Sequence, residues 1–276
     1  MSEFPRAAAH SPIEEVFPDI FRVQGLVFMM RGLVRITRNM TIVRNGGELT
    51  VFTPIRLDAD GEAALEELGR VTHMVRIGYF HRQDDAWYAH RYAPQVWAPP
   101  RMDDDGVVTD HVLEVGCDLP LEGASFFQFE RSLFPECAVL LPHEGGVLVT
   151  SDSVQNWVDF AGCDRIGRFL LWLFRFRGPS NIGRGWRRLC EPVPQPDLKG
   201  RIERPLYRIL GFEGPWRSRE EVRRLRTVGD GRGFAADFER LLERDFRHLL
   251  SGHGQPLRDI AKTALTDRVR RIYKPR

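Results

Sequence analysis

Much that would place a protein quickly is scarce in this chain, and each scarcity removes a class. The cysteines Cys117, Cys137, Cys163 and Cys190 are widely spaced, with no CxxC pair and no histidine at zinc-finger spacing, so they read as buried or half-buried free thiols. The longest dense apolar run, residues 169–174, is far too short to cross a bilayer. The opening MSEFPRAAAHSPIEEVF carries charge and proline where a signal peptide needs a continuous apolar run, so a cytoplasmic, reducing location is expected. Net charge is only +2, which exerts no global pull toward nucleic acid. There is no internal repeat, no low-complexity segment and no G-x-S-x-G nucleophile elbow. What remains is an ordinary globular composition, 42% hydrophobic and 28% charged over 276 residues, enough for a core that needs neither metal nor disulfide.

Patterning along the chain alternates between strand and helix. Residues 1–18 read as a loosely ordered lead-in and 19–276 as a single domain. A β-branched run over 40–44, the turn Asn45-Gly46-Gly47 and a second run over 49–52 make a hairpin. Residues 60–68 have helical spacing with acids in the first turn and Gly69 at the C-terminal end. A strand over 72–77 leads into a polar turn over 78–85, a helix over 85–92 and a strand over 95–98. Strands over 112–115, 125–129, 137–141 and 146–150 follow in quick succession, which favours hairpins. Helices are expected over 159–176, 217–226 and 234–244, then a strand over 246–250 and a last helix over 256–272. Asp103-Asp104-Asp105 reads as a solvated loop. Strand–helix–strand rhythm indicates an α/β or α+β class, with two mixed sheets packed face to face and helices outside.

Four segments, in order, resemble metallo-β-lactamase-fold proteins: the hairpin NMTIVRNGGELTVFTP with its following helix, the His/Asp turn over 77–86, the strand GVLVTSD ending in Asp152, and LLSGHG, which carries His253. The resemblance implies a four-layer αββα sandwich. In the family the turn reads H-x-H-x-D-H and supplies ligands to two metal ions. Here His81 and Asp85 fit the first histidine and the aspartate, whereas Gln83 and Ala86 stand at the other histidine positions. Asp152 matches the bridging aspartate and His253 the last histidine. The middle histidine has no counterpart, because FERSLFPE over 129–136 contains none. The resemblance thus implies a degenerate site. Its metal ligands are His81, Asp85, Asp152 and His253, holding a single zinc or iron ion or none.

Such a site polarises a carbonyl or phosphoryl group and acidifies a water, and three protein ligands with one open position suffice for catalytic zinc. His81 and Asp85 are the expected catalytic residues, with Arg82 and Gln83 contacting substrate. Arg82 would place a fixed positive charge where a metal is lost. Two functions follow: a hydrolase of a small ester, thioester, amide or phosphoester, or an inactive relative that binds an anionic ligand or a protein. No nucleic-acid or membrane partner is indicated. The arginine-rich stretch over 165–188 reads as a core helix with its apolar face inward and its arginines at the rim, the alternative being a basic aromatic surface for nucleic acid, anionic lipid or a partner helix.

Overall fold

The computed structural model describes residues 4–102, 106–191 and 233–273. Seven strands lie in chain order in one sheet: β1 (Glu14–Phe17), β2 (Ile20–Met29), β3 (Val34–Asn45), β4 (Glu48–Phe52), β5 (Arg70–Val75), β6 (Gln95–Ala98) and β7 (His111–Val112). β1 to β4 pair antiparallel and β4 to β7 parallel. Parallel neighbours need a crossover, which α1 (Ala59–Leu68) supplies between β4 and β5 and α2 (Asp85–Tyr92) between β5 and β6. A second sheet holds β8 (Ser125–Gln128), β9 (Cys137–Leu141), β10 (Val147–Thr150) and β13 (His248–Ser251), in the order β13-β10-β9-β8. A short ribbon, β11 (Gln155–Trp157) with β12 (Gly178–Asn181), and helices α3 (Arg165–Leu173), α4 (Arg184–Cys190), α5 (Ala235–Leu242) and α6 (Ala261–Ile272) complete the described elements.

Side-chain alternation sorts these elements into four layers, because successive residues of a strand face opposite sides of its sheet. Phe52, Val75, Cys137, Val139, Val147, Val149 and Leu250 fill the space between the sheets. On the outer face of the first sheet, Val23, Met40, Ile42, Val51 and Met74 pack against Leu65 of α1 and against Trp87 and Tyr88 of α2. On the outer face of the second, Phe127, Ala138, Leu148 and Leu249 pack against Trp186 of α4, Phe238 and Leu241 of α5 and Leu265 of α6. The architecture is the expected αββα sandwich.

Boundaries moved where tertiary pairing outweighs local pattern. Residues 14–17, expected in the lead-in, form β1 with Val16 and Phe17 buried against the inter-sheet core. The 40–52 hairpin is present, but its first strand extends back to Val34 because β2 pairs with it along its whole length. The helix expected over 159–176 is only α3, capped by Asp164, whose carboxylate accepts from Gly167 N at 2.6 Å. Its apolar residues do not all turn inward: Gly167 and Leu171 are buried, while Ile166, Phe169, Trp172 and Leu173 are exposed. Apolar residues run almost all the way round the helix in RIGRFLLWL, so one contact face cannot cover them. The last helix starts at Ala261 rather than at residue 256. The helix expected over 217–226 and the acidic loop 103–105 lie outside the described residues. No helix among the described residues is long and apolar enough to cross a membrane.

Leu65 is the fully buried residue through which α1 grips the first sheet. Leu65→Ala should cost about 2–5 kcal/mol of unfolding free energy, read as a lower midpoint in urea.

Candidate metal centre

Three strand ends deliver the polar side chains. β10 and β13 are parallel neighbours in register, Thr150 opposite Ser251, so the chain leaves both strands at the same edge and carries Asp152 and His253 out side by side. His81 reaches the same point from the turn between β5 and α2. His81 Nε2 lies 3.1 Å from His253 Nε2 and 3.4 Å from Asp152 Oδ1, and His253 Nε2 lies 3.2 Å from Asp152 Oδ1. All three residues are buried. Two ligands on a tetrahedral zinc with bonds of about 2.0–2.1 Å sit roughly 3.3 Å apart, so this triangle has the size of a metal's ligand shell. Among the described residues these three form a group whose ligand atoms all lie within 4.8 Å of one another.

The backbone around the triad holds each donor in place. His253 Nδ1 is 2.6 Å from Thr37 O of β3, so that nitrogen carries the proton and Nε2 is left as the lone-pair donor. Asn39, also on β3, donates from its backbone N to Gly252 O and from Nδ2 to Ser251 O and Gly254 O, each at 2.8 Å. The two glycines flanking His253 have separate reasons. A Cβ on Gly252 would lie 2.7 Å from His81 Cε1, and Gly254 has φ +81° with its Cβ direction blocked by Asn156 O at 1.9 Å. On the other side, Glu136 Oε1 accepts from the backbone N of Asp152 at 3.0 Å and of Ser153 at 2.7 Å. Gln155 Nε2 donates to Asp152 Oδ1 at 3.0 Å, and Trp157 donates to Gln155 Oε1 while its ring stacks beside His253.

Burial alone would raise the Asp152 carboxyl, but the charge of His81, with hydrogen bonding inside the triad, overcomes it and holds Asp152 well below the usual carboxylate range. Burial pushes His81 below its ordinary value of 6.5, against the pull of Asp152, with His253 and Arg38 adding to the downward push. The two shifts belong to one pair: the charge of His81 lowers Asp152, and burial opposes that charge. Burial, then the charge of Asp152, pushes Glu136 well above its ordinary value, which favours its protonated form.

Asp85, expected as a ligand and catalytic residue, is not in this group. It opens α2 and accepts at 2.7 Å from Arg76 Nε, the two side chains being 2% and 1% exposed. Its neighbour Asp84 accepts from Arg38 Nη2 and, at 2.8 Å, from Arg56 N. Each acid of the turn thus has an arginine of its own. Gln83 lines the cavity of about 400 Å³ that opens over the triad. Arg82 is not among the residues lining it. Its Nε donates to Tyr79 O at 2.7 Å and its guanidinium lies 3.9 Å from the Tyr79 ring centre. The arginine that does line the cavity is Arg38, a buried residue of β3 paired with Asp84. Sequence reading missed Arg38 because it sits in a strand far from any motif, and missed Glu136 because a lone acid before an apolar strand has no signature.

Two measurements follow. Removing one partner of a buried ion pair leaves the other charge uncompensated, so Asp85→Asn should destabilise by about 3–5 kcal/mol while leaving the triad's geometry unchanged. As pH falls below 6.5 the unfolded chain takes up the His81 proton before the folded one does, so that part of the stability is present above 6.5 and lost as pH drops through the lowered folded value. His81→Gln should therefore lose melting temperature less steeply than the parent between pH 7 and pH 5.

No protein-family model matches the sequence, and no curated protein does. The fold, however, is similar to that of solved metallo-β-lactamases. The DIM-1 metallo-β-lactamase superposes with a TM-score of 0.57 at 13% identity, over 97% of this chain and 100% of that one. FIM-1 from Pseudomonas aeruginosa, in its mono-zinc form, gives 0.56 at 9% identity over 98% and 99%. A metallo-β-lactamase from Hirschia baltica gives 0.54 at 11% identity over 96% and 100%. The chain is a far-diverged protein of the metallo-β-lactamase fold.

Proposed function

We propose that the protein is a hydrolase that holds a single divalent metal ion, zinc or iron, on His81, Asp152 and His253. The observation that carries this reading is the donor triangle of 3.1, 3.2 and 3.4 Å at the floor of the cavity. Two imidazoles and a carboxylate are a known zinc-enzyme donor set, and three protein ligands leave a position for substrate or water. A similar fold is known in a mono-zinc form, which supports one ion as a workable arrangement on this scaffold. Among the described residues no further donor group stands beside the triad for a second ion: Gln83 is at a position where the family has histidine, and Asp85 is engaged by Arg76.

A bound ion would supply Lewis-acid polarisation of the scissile carbonyl or phosphoryl group and acidify a water. The chain's own groups do the rest. Asp152 remains ionised and supplies the negative charge of the shell. His253 keeps its proton on Nδ1, against Thr37 O. Without an ion, His81 Nε2 holds the proton that bridges to Asp152, and metal uptake through Nε2 would need the ring's proton on Nδ1, which has no hydrogen-bond partner. Gln83 is placed to orient a substrate by hydrogen bonds, and the apolar walls exclude bulk water. Substrates are small esters, thioesters, amides or phosphoesters.

A second reading, a non-catalytic binder of an anionic ligand, is favoured by Arg38. Two of its guanidinium nitrogens, Nε and Nη1, are buried without a hydrogen-bond partner beside the triad. An anion entering the cavity would relieve that deficit.

Zinc-loaded, desalted protein should carry about one equivalent by elemental analysis, and the Asp152→Ala, His253→Ala double variant close to none. Gly252→Ala, which drives a methyl into His81, should bind zinc at least tenfold more weakly with its circular dichroism unchanged. Zinc in the parent no higher than in the double variant would sink the metal reading. Stoichiometric zinc without turnover of ester, thioester, amide or phosphoester substrates would favour the binder.

A further inference from the structure

The outer face of α3 is built the wrong way round for a helix whose surroundings are water. Ile166, Phe169, Trp172 and Leu173 are between 44% and 56% exposed on one nine-residue helix, and the Phe169 and Trp172 rings lie stacked with centres 6.0 Å apart. Phe28, 51% exposed, pairs with Arg35 on the strand against which the start of α3 packs. Large apolar side chains scattered singly over a surface need no explanation, but a cluster of this kind does.

What rims the cluster identifies its partner. From residue 165 to residue 190 the sequence contains no aspartate or glutamate. Arg165, Arg168, Arg175 and Arg177 are exposed on or just beyond α3. Beside Trp172 and Leu173, a cleft of about 530 Å³ is walled by Arg175, Arg177, Arg184 and Arg268. Burial, and then the charge of Arg271, holds the Arg268 guanidinium below its ordinary range. Two copies of this face would set arginine against arginine, which argues against self-association. Phe169 and Trp172 offer rings to a base, but they lie stacked on each other, and the aliphatic Ile166 and Leu173 beside them suit an acyl layer better than a run of bases. An aromatic and aliphatic face rimmed by arginine matches an interface with an apolar layer beneath an anionic one.

We propose that α3 and the adjoining arginine cleft form a docking surface for anionic phospholipid bilayers. Ile166, Phe169, Trp172 and Leu173 enter the headgroup–acyl boundary, while Arg175, Arg177 and Arg268 meet lipid phosphates and carboxylates. The surface adjoins the mouth of the cavity over the triad. Phe28 belongs to both, and α3 turns Leu170, Leu171 and Phe174 toward the cavity. Docking would therefore present the cavity to molecules dissolved in the membrane. The docking surface does not depend on a metal being bound or on any hydrolytic activity.

The test is sedimentation of the full chain with sucrose-loaded vesicles, either pure phosphatidylcholine or containing 30% phosphatidylserine, the chosen probe composition (~30%, a surface-charge regime where basic residues matter). Binding should be at least tenfold tighter to the anionic vesicles and should weaken steeply with added salt. Each arginine near such a surface contributes roughly fivefold, so R175E/R177E should weaken binding by more than tenfold. F169A/W172A should do the same through lost apolar insertion. The altered side chains are exposed, so both variants should melt at the parent's temperature, and Trp172 fluorescence in the parent should shift to the blue on vesicle addition. Equal partition onto both vesicle types would overturn the proposal, as would retained binding in either variant. Absence of binding at low salt, including when the parent proves to be a dimer through this face, would overturn it equally.

Discussion

The parallel pairing of β10 with β13 is the constraint from which the rest of the site follows. With Thr150 opposite Ser251, the residues two positions beyond each strand emerge at one edge of the second sheet. A one-residue slip in that register would reverse the facing of every side chain in β13 and carry His253 away from Asp152. The first sheet reinforces the arrangement. Thr37 and Asn39 of β3 bind the Ser251–Gly254 loop through four hydrogen bonds of 2.6 to 2.8 Å, so the gap between the sheets is closed at the site by polar bonds rather than by apolar packing. His81 then has one place to go, against Gly252, where any side chain would displace it.

Beside this triad, arginine has taken over the charge balance. Asp84 faces Arg38 and Asp85 faces Arg76, so both carboxylates of the turn are neutralised within the protein. A buried carboxylate needs a cation or several hydrogen bonds, and a guanidinium meets that need without an external ion. The consequence is that neither carboxylate of the turn joins the triad. The triad is confined to the side where two sheets and the His81 turn meet, with Arg38, paired to Asp84, on the cavity wall.

Most of the layer order could be read from the chain, because alternation in strands such as 137–141 and 147–150 and helical spacing over 59–68 are local and strong. The helix over 85–92 and the strand over 95–98 appear with the bounds expected of them. Short polar strands such as Gln155–Trp157, and the edge strand Glu14–Phe17, have too few residues for a period to register and exist only because a neighbour pairs with them. His81, Asp152 and His253 could each be picked out by their place in a strand-end motif. The partners that surround them, Thr37, Asn39, Arg38 and Glu136, carry no ligand signature of their own in the sequence and are brought close by the pairing and packing of the two sheets.

By itself the sequence determined the fold class, the order of the segments and the loss of the histidines a second metal would require. These are properties of residue type and spacing along one strand or helix. Only the tertiary structure decided which acids remain available to a metal, since Asp85 and Asp152 are equally plausible in one dimension and differ by the arginine that folding sets beside the first. It also decided which way α3 turns its apolar residues. Helical periodicity states that a face exists, whereas the limited surface offered by β3 leaves Ile166, Phe169, Trp172 and Leu173 on the outside.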